Sequence, residues 1–86
     1  MNGQRLPDET DWSSALAYGT YWKREGIWFA LTPNGHLATL VKHKVVENSD
    51  GTITVSPSIL VSATSRKGNS VELWHGFLEN GVWRTC

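Results

Sequence analysis

The chain has 86 residues and a mass of 9.6 kDa, which is room for one small domain. Eight Lys and Arg balance eight Asp and Glu, which argues against a dedicated nucleic-acid binder, because such proteins need a basic face to meet phosphates. With 40% hydrophobic and 19% charged residues the chain is too apolar to stay disordered, and no apolar run approaches the roughly 20 residues of a membrane-spanning helix.

Residues 1–9 have no apolar centre, so they are expected to form a flexible N-terminal arm and not a secretory signal. Residues 10–86 make up the domain. Thr10 is placed to cap a short helix over Asp11–Ala17, with Trp12 and Leu16 four apart and Gly19 as its stop. Beyond it the turn signals dominate. Glu25-Gly26, Thr32-Pro33-Asn34-Gly35, Asn48-Ser49-Asp50-Gly51 and Glu79-Asn80-Gly81 each sit between β-branched or aromatic runs. Turns at this spacing leave no helix of ordinary length and predict hairpins.

The strands expected between them are Ala17–Lys23, Ile27–Leu31, His36–Glu47, Thr52–Val61, Ser70–Leu78 and Val82–Thr85. In the fourth, Ile53, Val55, Ile59 and Val61 alternate with mostly hydroxyl-bearing residues, so one face is apolar. In the third, Leu37, Val41, His43 and Val45 share a face. Ile27–Leu31 is apolar on both faces and suits a central strand. Pro57 cannot donate to a ladder and marks a bulge or an edge. Residues 62–69 read as the longest loop. The fold class expected is all-β, a five- to six-stranded antiparallel meander curled into a small barrel-like roll.

A domain of this size buries only about 60–65% of its unfolded surface. Its one cysteine, Cys86, allows neither an internal disulfide nor a cysteine-based zinc site, and with no secretory signal in view the expected setting is cytoplasmic. Five Trp, two Tyr and two Phe supply bulk instead. Most of these rings should anchor the core, with two or three left over as a recognition surface.

The chemistry-bearing residues are few. His36 and His43 lie seven apart on one expected strand and point to opposite faces, whereas His43 and His75 both lie on apolar faces that can converge. A serine–histidine pair can be written with Ser56 or Ser58 and His75, with Asp50 and Glu72 the nearest carboxylates, but no Gly-x-Ser-x-Gly elbow supports it. No phosphate-binding glycine loop is present. Tyr21-Trp22-Lys23-Arg24, the Lys42/Lys44 pair and Arg66-Lys67 are the basic clusters that nucleic-acid binding would have to use.

Asp50-Gly51-Thr52 leading to Pro57-Ser58-Ile59, and Trp74-His75-Gly76 leading to Gly81-Val82-Trp83, together with Trp28–Gly35, resemble a family of small uncharacterised phage and prophage proteins. The resemblance covers roughly residues 27–84 and is carried by the patterns DGTxxxxPSI and WHGxxxxGxW. It implies a short phage-type β-protein and no catalytic assignment. The functional expectation is therefore a non-enzymatic module that docks on a host or phage protein, with no catalytic residue, metal or cofactor, and with homo-oligomerisation as a variant. The surface candidates are Trp22, Trp74, Trp83, Arg84 and His75, the residue types that dominate interfaces. The alternatives are a nucleic-acid-binding accessory protein and a small histidine-dependent hydrolase or metal site.

Overall fold

The structure is a computed structural model that describes residues 1–11 and 16–86. It is all-β, with nine strands in three sheets and no helix among the described residues. The expected helix over Asp11–Ala17 falls mainly on residues 12–15, outside those described. Strands β1 (Gln4–Arg5), β2 (Thr20–Arg24), β3 (Ile27–Leu31) and β4 (Leu37–Thr39) form one sheet in that order. Strands β5 (Lys44–Glu47) and β6 (Ile53–Ser56) form a two-stranded ribbon. Strands β7 (Ile59–Thr64), β8 (Ser70–Glu79) and β9 (Val82–Thr85) form the third sheet. The sheets do not close into a barrel. All pairings between named strands are antiparallel except β1 with β2, which is parallel.

The hairpin turns fall where the sequence places them. Glu25-Gly26 and Asn80-Gly81 each have positive φ at both central residues, and each joins strands already paired on either side. This is the mirror-image turn whose twist matches that of the flanking strands. Asp50 closes the β5–β6 turn by accepting hydrogen bonds from the Thr52 backbone N–H at 3.0 Å and the Thr52 hydroxyl at 2.6 Å. These bonds to the charged form hold the Asp50 carboxyl below its ordinary range.

Two expected strands are each divided in two, and β1, in the segment expected to be an arm, brings the total from eight to nine. His36–Glu47 turns at Val41-Lys42, where the His43 N–H donates to the Leu40 carbonyl at 3.0 Å. The turn changes which residues go inward. Ala38 and Leu40 are buried, Val41 is exposed, and Val45 packs on the core from the next strand. Thr52–Val61 breaks at Ser56-Pro57, a cis bond, yet Ile53, Val55 and Ile59 are all buried and Val61 packs against them, on the face the alternation predicts.

Residues 1–9, read from composition as a flexible arm, are bonded along their length. The Trp83 N–H donates to Met1 O at 2.8 Å and the Gly3 N–H to Gly81 O at 2.7 Å. The next residues turn to the other sheet, with the Leu6 N–H donating to Tyr21 O and the Glu9 N–H to Lys23 O, both at 2.8 Å. A polar segment can pair this way because a ladder needs only backbone groups. The arm thus runs between β9 and β2 and covers an edge of each sheet.

The core consists of Tyr21, Trp28, Ala30, Ala38, Leu40, Ile53, Val55, Ile59, Trp74, Leu78 and Trp83. Trp74 and Trp83 meet edge to face, with ring centroids 5.3 Å apart, and the Trp83 indole N–H donates to the buried Gly19 carbonyl at 2.9 Å. Gly76 lies under this pair. A Cβ there would overlap the Arg84 carbonyl and sit 2.5 Å from the Trp74 ring. Gly76→Ala is expected to lower unfolding stability by about 1–3 kcal/mol, the usual cost of overpacking, read as a fall in the urea midpoint.

Candidate functional site

The β7–β8–β9 sheet has two unlike faces. Ile59, Val61, Trp74, Gly76, Leu78 and Trp83 face the core. Strict alternation then turns Ser58, Leu60, His75, Phe77, Val82 and Arg84 to the outer face. Alternation alone would also send Glu72 inward with Trp74. A bulge reverses this, because Val61 pairs with Trp74 and the next residue, Ser62, pairs with Glu72, leaving Leu73 without a partner. Glu72 therefore joins His75 on the outer face. The Leu73 carbonyl accepts a hydrogen bond from Asn34 Nδ2 at 3.0 Å, which ties the Thr32–Gly35 turn to the bulge.

The bulge and the Pro57 corner bring three side chains into line. Ser58 Oγ is 2.9 Å from His75 Nε2. On the other side of the ring, His75 Nδ1 is 3.6 Å from Glu72 Oε1, an ion-pair distance and too long for a hydrogen bond. The carboxylate favours a proton on Nδ1, which leaves the Nε2 lone pair to accept from the serine hydroxyl. His43 also bonds this serine, its Nε2–H donating to the Ser58 carbonyl at 3.2 Å. His43 and His75 thus both bond Ser58, although His75 lies on the outer face of its sheet and not on the apolar one expected. His43 Nδ1 is buried with no hydrogen-bond partner among the described residues.

Of the five surface candidates, three are not on the surface. Trp22 is 0% exposed, Trp74 6% and Trp83 3%. The reason is register. Trp74 and Trp83 lie on the inner face of their sheet, and Trp22 stacks on Phe29 with centroids 5.9 Å apart on the side of β2 opposite Tyr21. Arg84 and His75 are on the outer face. Arg84 bonds Glu79 at 2.6 Å, and its guanidinium lies 4.8 Å over the Phe77 ring. Composition could identify Arg84 and His75 as polar strand residues. Glu72 was one of two carboxylates the sequence offered, but its odd spacing from His75 puts the two on opposite faces of an unbulged strand, so nothing in the sequence placed it beside the ring.

No family model matches the chain, and no curated protein or solved structure matches it. Among the described residues no group of three His, Cys, Asp or Glu is placed to hold a metal ion, and no helix is long and apolar enough to cross a membrane.

A second feature is an open groove of about 560 Å³ between the N-terminal arm and the Asp50–Thr52 turn, with Tyr21 at its base. Arg5 spans it, donating to Gly51 O at 3.0 Å while its guanidinium sits 5.0 Å over the Trp28 ring. Burial raises the Tyr21 phenol above its ordinary value, with Arg5 opposing and Asp50 adding to the shift. The folded state thus holds this proton after the unfolded state has lost it. The resulting stability is complete below about pH 10 and is lost as pH rises from there through the raised value. Tyr21→Phe should therefore show a smaller fall in urea midpoint between pH 9 and pH 11 than the wild type.

Proposed function

We propose that this chain is a binding module that docks on a protein partner through the outer face of β7–β8–β9 and the hairpin that extends it. The observation that carries this reading is the β7–β8 hairpin. Every residue from Ser62 to Glu72 is exposed, on both faces of a paired ribbon. Its tip is ordered by the Ser65 N–H donating to Asn69 O at 2.7 Å and the Gly68 N–H to Ser65 O at 2.9 Å. A two-stranded ribbon with no core of its own gains little stability by itself, so its length is better explained by what it touches.

The chemistry of the surface is mixed. Leu60 is 55% and Val71 56% exposed, Arg66 and Lys67 stand at the tip, and Arg84 lies on the adjoining face. Exposed apolar residues on both faces of the ribbon, with Arg66 and Lys67 at its tip, suit an acidic protein surface, where the apolar residues contribute burial and the tip charges orient the approach. The core use of Trp22, Trp74 and Trp83 moves recognition from indoles to this hairpin. The phage-type character implied by the sequence resemblance, a cytoplasmic setting and a host or viral target belong to the same proposal.

A photo-crosslinking residue at position 71 or 60, with position 50 on the far groove as control, tests the reading in cells. Protein adducts at 71 and 60 but not at 50 are expected. Reversing the tip charges (Arg66→Glu with Lys67→Glu) should lower their yield about tenfold, as for loss of steering charges. Adducts only with nucleic acid, or equal yields at all three positions, would contradict it. Adducts with a second copy of the chain would turn the reading to self-association.

A further inference from the structure

We propose that Ser58 is a nucleophile activated by His75, able to accept an acyl group from an ester or thioester. This goes beyond the docking reading and does not depend on it. Three independent features of the geometry meet at this residue. The hydroxyl is 2.9 Å from an imidazole nitrogen, within the reach that base activation of a serine needs. A carboxylate stands 3.6 Å from the other ring nitrogen, so the ring is held between nucleophile and orienting charge in the order that serine hydrolases use. The backbone carrying the nucleophile is fixed by the His43 bond to the Ser58 carbonyl and by the pairing of Ile59 with Gly76 next to it. Ser58 and His75 are both only half-buried, so a substrate can reach them.

The step balances without any further reagent. Neutral His75, protonated on Nδ1, takes the Ser58 Oγ proton on Nε2. Oγ bonds to the carbonyl carbon of the donor, and the carbonyl electron pair moves to oxygen. When that pair returns, the bond to the leaving group breaks, and Nε2–H gives its proton to the departing alkoxide or thiolate. The product is an acyl ester on Ser58. Water deprotonated by the same nitrogen can release the acid by the reverse sequence. Nothing is oxidised or reduced. The substrate class follows from the neighbour on the N-terminal side. Pro57 has no N–H to add to an oxyanion site, so esters and thioesters, whose alkoxide or thiolate departs more readily than an amine, suit this site better than amides. Leu60, beside His75 across the strand pair, gives the acyl chain an apolar surface. Glu72 acts through the ring as a positioning residue.

The probe is an alkyl fluorophosphonate, which phosphonylates activated serines with loss of fluoride. The full folded chain is incubated with it and the adduct is mapped by peptide mass spectrometry. An adduct on Ser58 is expected, absent in Ser58→Ala and formed about 100-fold more slowly in His75→Gln, the scale of a lost general base. Glu72→Gln should slow it less, and Glu72→Asp should restore the rate. Circular dichroism confirms that each variant is folded, and wild type unfolded in urea gives a comparison that needs no variant. No adduct on Ser58 in the folded wild type, or an adduct that forms as fast in urea or in His75→Gln, would overturn the proposal.

Discussion

The inward set of Trp74, Gly76 and Leu78 on β8 is the constraint on which the rest of the structure depends. Trp74 meets Trp83 edge to face over the space that Gly76 leaves open, and the Trp83 N–H reaches across to Gly19 at the start of the other sheet. These contacts fix β8 against β9 and against the β1–β4 sheet together. They also decide what faces solvent. Once Trp74 and Gly76 point inward, His75 between them must point outward, and its cross-strand neighbours become Leu60 and, one step on, Ser58.

The N-terminal arm is the second element that makes so small a domain workable. Without disulfides, 86 residues must exclude water from their sheet edges by other means. Residues 1–3 pair along β9 and residues 4–5 along β2. A single extended segment thereby joins two sheets whose hairpins would otherwise present open edges. Arg5 adds a lid over Trp28 and a bond to the β5–β6 turn, so the two-stranded ribbon is tied in as well. Asn34 does the same on the other side by capping the bulge carbonyl.

The fold class and most of the turns were legible because they rest on local chemistry. Asn80-Gly81 and Glu25-Gly26 adopt the positive φ that their sequences allow, and the Ile53/Val55/Ile59/Val61 alternation points as written. The turn at Val41-Lys42 was not legible, since nothing in Leu40-Val41-Lys42-His43 marks a turn and only the packing of Leu40 and Val45 on the core from either side of it demands it. The arm was misleading for a related reason, because backbone pairing leaves no trace in side-chain type. At the site, Ser58 and His75 could be named from sequence as one of several pairs. Their union with Glu72 could not, because it depends on the single unpaired residue Leu73, and a bulge changes side-chain parity without changing composition.

The proposed nucleophile depends on β8 lying in the register that sets His75 against Ser58 with the bulge at Leu73. A nuclear Overhauser experiment on the isotope-labelled chain measures this directly. Cross-peaks from the His75 ring protons to the Ser58 β-protons, together with an α-proton contact linking Ser62 to Glu72, are the predicted result. A His75 ring whose contacts are instead to the indoles of Trp74 and Trp83 in the core, or a Ser62 that pairs with Leu73, would contradict it.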